Sequence, residues 1–345
     1  MDTMNALVFH KPGDIKVEDV PMPKVGPGDV LMKVHATSIC YSDIRVFKGE
    51  KKARSGVIPG HETAGEIVEM GSQVEGYETG QRITICPIMA CGECYYCMIG
   101  KRNRCIKRVT LGYEENGGLA DYVLIPEQLV KLGHIITLPQ GLSYEVAALT
   151  EPFACVLNSI ESCRVVPGSS ILIIGGGPMG LIHVLMAKAV GCPTIIVSDI
   201  MDSRLDSARE LGATLGVNPQ RESLRDAVMD ATNGLGADAV ILSVGNPNAV
   251  SEGLDMVRKQ GYYNLFGGFP PESVVQLDPN RVHYDEIFLT GTQNATPEQY
   301  VRSCRLLTAI PDAGKILTHK FPAKEAEEAY NVRLRMEGLK SAVLY

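Results

Sequence analysis

Through the first 150 or so residues, apolar positions come in short blocks at 6–9, 30–35, 63–70, 82–86 and 120–125. Stretches such as PMPKVGPGD and EMGSQVEGYETGQ separate them. Blocks this short, interrupted this often by Pro and Gly, predict strands, so this part of the chain reads as a β-rich domain. Near residue 150 the rhythm changes. A fully apolar strand at 171–174 precedes a helix over 178–190, whose Leu181, Val184 and Leu185 share one face, and a second strand follows over 194–198. The alternation continues with a helix capped by Asp202, which has Leu205, Ala208 and Leu211 on one face and Gly212 past its end. A strand at 239–242, a helix from Asn248 and a strand at 262–266 come next. Strand and helix in that order predict a parallel, doubly wound sheet.

Composition narrows the class. The 345 residues, 45% of them hydrophobic, suggest two domains with ample core. No apolar run approaches the roughly 20 residues that span a bilayer, so no membrane anchor is expected. The opening MDTMNALVFHK lacks a charged segment followed by an apolar one, which predicts a cytoplasmic protein whose ten cysteines are metal ligands and buried thiols.

Four of those cysteines, Cys91, Cys94, Cys97 and Cys105, fall within 15 residues as C-x2-C-x2-C-x7-C. This spacing suits a tetrahedral structural zinc site. Two disulfides would need an oxidising compartment. A nucleic-acid module would need a basic face, and 33 Lys+Arg against 40 Asp+Glu make the chain acidic overall. Lys101, Arg102, Arg104, Lys107 and Arg108 read as a solvated loop face, and no nucleic-acid partner is expected.

The second motif is Gly175-Gly176-Gly177-Pro178-Met179-Gly180, a G-x-G-x-x-G run directly after a strand and opening a helix. Gly175 makes the turn, Gly177 lets backbone approach a pyrophosphate and Gly180 lets helix meet strand, while Met179 opens the helix whose N–H groups face the phosphates. Asp199, 19 residues beyond Gly180, ends the next strand, where a carboxylate accepts from ribose hydroxyls and repels a 2′-phosphate. NAD is therefore expected over NADP. Arg204 is the counterweight, because a guanidinium there could hold that phosphate.

Reactive metals need an open coordination position. The residue types for one are Cys40 after a strand, His61 and Glu62 after Pro59-Gly60, and Glu151 before Pro152. Singly, each also has a plain structural explanation.

Cys40-Tyr41-Ser42-Asp43, Gly60-His61-Glu62, the Cys91–Cys105 lobe, Glu151-Pro152 and the glycine run with Asp199 and Arg204 together resemble the zinc-containing medium-chain dehydrogenases, in their sorbitol (polyol), threonine and galactitol-phosphate branch. The resemblance covers nearly the whole chain. It implies a GroES-like catalytic domain over 1–152, with a zinc lobe at 86–108, an inserted Rossmann domain over 153–289 and a return to the catalytic domain over 290–345. It further implies two Zn2+ and one NAD per chain, with Cys40, His61 and Glu151 as ligands of the catalytic zinc. Glu62 would contact that zinc directly or through water, or else form a neighbouring salt bridge. Asp43 would orient the ligand histidine, and Ser42 would take the substrate proton. The implied reaction moves a hydride between NAD and a secondary alcohol, which could be a polyol, sugar, sugar phosphate or amino alcohol, or runs in reverse from the ketone. A homodimer or homotetramer is implied as well. Arg45 stands where many relatives carry a relay histidine, which implies a relay that exits through water instead. Val46 stands where sorbitol dehydrogenases carry a substrate-contacting tyrosine, and Gly291-Thr292-Gln293-Asn294-Ala295-Thr296 lacks the arginine that follows the corresponding glycine in those enzymes, which makes sorbitol itself a poorer fit. A dinucleotide-binding protein of this fold without turnover is the alternative.

Overall fold

A computed structural model describes residues 3–345. Its contacts divide the chain into two compact units, one formed by the residues up to Ala154 together with Ala295–Tyr345, the other by Cys155–Asn294.

The first unit is built on a seven-stranded sheet. Its strands run in the order Leu317–Pro322, Lys340–Leu344, Val30–Ser38, Glu62–Met70, Arg82–Ile85 and Ile135–Thr137, and Tyr122–Ile125 also pairs with Val30–Ser38. The C-terminal strand therefore lies beside an N-terminal one, with Ala342 opposite Ser38, and Ser38 in turn lies opposite Glu62. Val30, Met32, Val34, Ile67, Ile83 and Val123 form one buried cluster of this unit. A second cluster joins Leu7, Ile39, Ile44 and Leu119 to Tyr330 and Val343 from the end of the chain. Each such aliphatic side chain contributes about 1.5–3 kcal/mol by leaving water.

The second unit is a six-stranded sheet with every pairing parallel, ordered Leu215–Val217, Thr194–Ser198, Ser170–Ile174, Ala237–Leu242, Val257–Leu265 and Phe288–Gly291. Its central strand is apolar at four consecutive positions, Ile171, Leu172, Ile173 and Ile174, all buried. Helices cover both faces of a parallel sheet, so a continuous apolar run replaces alternation. The order reverses at Ser170–Ile174, the switch point where doubly wound sheets bind ligands. One local expectation is corrected. The helix Asp202–Leu211 has Met201 at its N-cap with no side-chain cap, and Asp202 lies in the first turn. The Asp202 carboxylate is engaged instead by Asn218, at 3.1 Å, and by Arg221, at 2.7 Å.

Candidate active site

Cys91, Cys94, Cys97 and Cys105 bring their sulfurs within 4.8 Å of one another. The Cys94–Cys97 and Cys91–Cys97 separations are 3.5 and 4.0 Å. A tetrahedron with Zn–S bonds near 2.3 Å has edges of about 3.8 Å, so the four thiols fit a zinc ion. All four are free cysteines. The loop turns its N–H groups onto them. Cys91 N donates to Cys105 Sγ at 3.2 Å, Cys94 N to Cys91 Sγ at 3.4 Å and Lys107 N to Cys105 Sγ at 3.4 Å. Backbone donation from Ile106 and Cys97 lowers the Cys94 thiol to about 6, whereas burial and the neighbouring sulfurs push Cys97 up to about 12. Four sulfurs this close cannot all ionise without a cation among them.

The second group forms where the Ser38–Glu62 register places two strand ends side by side. Cys40 is the N-cap of the helix Tyr41–Phe47, and His61 and Glu62 lead into Glu62–Met70. One donor atom from each of Cys40, His61 and Glu62 lies within 4.8 Å of the others. Asp43, one helical turn on, accepts from Cys40 N at 3.0 Å through Oδ2 and lies 3.2 Å from His61 Nδ1 through Oδ1. The imidazole's Nε2 is thereby left toward the Tyr113 hydroxyl, 3.5 Å away. Burial opposes a charge on His61, yet the Asp43 carboxylate and Cys40 outweigh it and hold the imidazole well above its usual value. A donor set that attracts a proton so strongly also suits a divalent cation.

Two residues here escaped sequence reasoning. Lys340 is buried and spans both Glu62 oxygens at 2.9 and 2.7 Å, while Ser38 also donates to that carboxylate. Tyr113 accepts or donates a 2.6 Å hydrogen bond with Ser42, whose hydroxyl also donates to Cys40 Sγ at 3.0 Å. Neither belongs to a motif. Lys340 arrives from 278 residues away in sequence.

Glu151 stands outside the 4.8 Å group of Cys40, His61 and Glu62. It is buried in the first turn of Thr150–Ser162 and accepts from the Tyr300 hydroxyl at 3.4 Å. Val46 packs into a small core with Phe9, Val57 and Tyr113, and Arg45 pairs with Glu50 at 3.4 Å. Asn116 is a latch, accepting from Arg54 and from Ile58 N.

In the second unit, the glycine run follows Ser170–Ile174 and opens Pro178–Val190, with Gly177 as N-cap and Met179 in the first turn. Gly175 has φ +106°, a region that suits only glycine well. A Cβ on Gly180 would stand 1.8 Å from the Gly175 carbonyl oxygen, so the helix can approach the turn here only because Gly180 lacks a side chain. A Cβ on Gly177 would meet nothing within 4 Å, which leaves open space beside a helix N-terminus for a pyrophosphate. Asp199 is pinned from three sides. Its Oδ2 accepts from Gly176 N at 2.8 Å and lies 3.4 Å from Arg204, and its Oδ1 accepts from Met201 N at 2.9 Å. A cavity of about 620 Å³ lined by Arg164, Tyr262 and Phe288, at the outer edge of this sheet, holds none of the candidate residues.

Comparison with known proteins agrees with both units. Residues 26–134 match the alcohol dehydrogenase GroES-like domain, and residues 178–309 match the zinc-binding dehydrogenase family. The chain is 34% identical to an L-threonine 3-dehydrogenase of Pyrococcus horikoshii, over 96% of this chain and 95% of that protein. It is also 34% identical to a D-arabitol-phosphate dehydrogenase of Enterococcus avium, over 95% and 94%. A structure from Sinorhizobium meliloti, described as a zinc-binding dehydrogenase bound to NADP, superimposes with a TM-score of 0.94 at 29% identity over the full length of both chains. The chain thus belongs to the zinc-containing medium-chain dehydrogenase family, with its GroES-like catalytic and Rossmann-type dinucleotide-binding units.

Proposed function

We propose that the protein oxidises a secondary alcohol of a polyol, sugar, sugar phosphate or amino alcohol with NAD, or reduces the corresponding ketone, at the Cys40–His61 group. The observation that carries this is the meeting of a thiol, an imidazole and a carboxylate within 4.8 Å, with the Ser42 hydroxyl 3.0 Å from the thiol. Cys40 and His61 would hold the reactive zinc together with a carboxylate. Glu62 belongs to the group but spends its oxygens on Lys340 and Ser38, while Glu151 lies further off with Tyr300 as a partner. Zinc supplies Lewis acidity to the substrate hydroxyl, and NAD supplies the hydride acceptor.

The chain's own residues do the rest. Asp43 fixes the orientation of His61. Ser42 takes the substrate's proton and hands it on through the hydrogen bond to Tyr113. The Gly175–Gly180 turn receives the pyrophosphate, and Asp199 receives the adenosine ribose and disfavours a 2′-phosphate. Cys91, Cys94, Cys97 and Cys105 would hold a second zinc that ties down their loop. The names of the curated relatives, a threonine and an arabitol-phosphate dehydrogenase, support an alcohol beside a polar substituent.

A panel of polyols, sugar phosphates, inositols and threonine at alkaline pH, read as NADH absorbance, tests the reading. Metal analysis should find two zincs per chain, falling to one in Cys40→Ala or His61→Ala with turnover lost and NADH binding retained. Retention of both zincs in those variants overturns the ligand assignment. Glu62→Gln and Glu151→Gln then separate the two carboxylates by which variant loses metal.

A further inference from the structure

Two cations, Lys51 in Coulomb range of Cys40 and Asp43, and Arg108 in range of Lys51, form no close ion pair. Arg45 is answered by Glu50, but among the described residues no carboxylate lies within 4.0 Å of Lys51 or Arg108. Lys51 Nζ rests instead 3.4 Å from the centroid of the Tyr113 ring. Arg108 lies within Coulomb range of Lys51 and donates only a long 3.5 Å bond to the Asn103 carbonyl. Glu114, the exposed carboxylate in range of Lys51, is turned to the Thr110 N–H at 2.9 Å. Both side chains are exposed.

Their position gives them a use. Tyr113 has its hydroxyl on Ser42 at 2.6 Å and near His61 Nε2 at 3.5 Å, and Lys51 lies across the face of the same ring. One aromatic side chain thus joins the groups that would handle the reacting hydroxyl to an exposed ammonium. A charge-assisted hydrogen bond outweighs a cation–π contact at an accessible site, so an anion on the substrate would draw Lys51 off the ring.

Resting on the dehydrogenase reading above, we propose that Lys51, assisted by Arg108, is a specificity-determining residue that selects an alcohol bearing a phosphate monoester. Phosphate is favoured over carboxylate because a phosphate monoester carries close to two negative charges, which suits an exposed lysine with a guanidinium in Coulomb range.

The zinc-loaded full-length protein is assayed with matched pairs, D-arabitol against D-arabitol 5-phosphate and D-sorbitol against D-sorbitol 6-phosphate, with L-threonine as the carboxylate arm. We expect kcat/KM to favour the phosphate ester at least tenfold, about what 1.4 kcal/mol supplies. Lys51→Met should collapse that ratio about tenfold, Arg108→Met should lower it less, Lys51→Arg should largely restore it, and Lys324→Met should leave it alone. Calorimetric titration of D-arabitol 5-phosphate into the same proteins with NADH present reads binding without turnover, and its affinity should fall in parallel and weaken with salt. Parent polyols used as well as their esters, or L-threonine preferred with the preference intact in Lys51→Met, overturns the inference and leaves the dehydrogenase reading standing. No NADH from any alcohol, in protein holding two zincs, counts against the dehydrogenase reading instead. The calorimetric arm then decides the inference, and binding indifferent to Lys51 overturns it.

Discussion

Replacing Lys340 by Met probes the most deeply buried ion pair of the catalytic unit. Lys340 is 3% exposed and Glu62 fully buried, and each carboxylate oxygen lies within 2.9 Å of the ammonium. Burial alone would lower the lysine's pKa, but the Glu62 charge and Cys40 raise it, so the lysine stays charged. Methionine keeps most of the stem volume and removes the charge, leaving the buried Glu62 carboxylate with Ser38 and without its ammonium. Losing one partner of a buried pair costs about 3–5 kcal/mol, because the remaining charge stays desolvated. In a unit of roughly 200 residues, each kcal/mol lowers Tm by about 2–4 °C, so a fall on the order of 10 °C is expected. Glu62→Gln combined with Lys340→Met should recover much of that loss, since the uncompensated charge is gone. The assay is urea unfolding of the zinc-loaded protein, comparing midpoints at constant m-value. A single-variant loss below about 1 kcal/mol, or a double variant equal to the sum of its parts, would refute the reasoning, because it would mean that the two groups are not coupled.

Gly180→Ala should cost about 1–3 kcal/mol through the collision with the Gly175 carbonyl, and it should weaken NADH binding measured by fluorescence, since relief requires the pyrophosphate turn to move. Asp199→Gly should raise the NADP to NAD ratio of kcat/KM by removing the carboxylate that faces a 2′-phosphate; an unchanged ratio would take Asp199 out of the ribose site. Burial lowers His183 to about 4 despite its bond to the Met179 carbonyl. Below pH 6.5 the unfolded chain takes up a proton that the folded unit refuses, so stability is complete above that pH and falls as pH drops from 6.5 toward 4, by at most about 1.4 kcal/mol per unit. His183→Gln should flatten that part of a stability-against-pH curve, which chemical unfolding at stepped pH would show.

Local patterns set much of this molecule. The helix Pro178–Val190 and the strand Thr194–Ser198 coincide with the apolar periodicity, because a helix opened by Pro and closed by Gly191 carries its own boundaries in its sequence. Four cysteines within 15 residues meet through turns and N–H donors local to their own loop, so no distant segment has to bring them together. The glycine run works through six consecutive backbone positions, Gly175 to Gly180, so its geometry too is a local property. Asp202 lies one residue inside the helix start that its sequence suggests, since an acidic residue serves almost equally well as cap or as first-turn charge.

Only the tertiary structure decided the surroundings of the second group. Cys40 and His61 meet through the Ser38–Glu62 register, and Lys340 reaches Glu62 because the last strand inserts beside Val30–Ser38. Tyr113 comes to Ser42 across 71 residues, carrying Lys51 on its ring. Strand pairing and loop return depend on burial summed over the whole sheet, and no short window of the chain contains that sum. Residue types that suit a metal can therefore be recognised one at a time, whereas the lysine, tyrosine and carboxylate that tune them are chosen by which distant segments the core brings together.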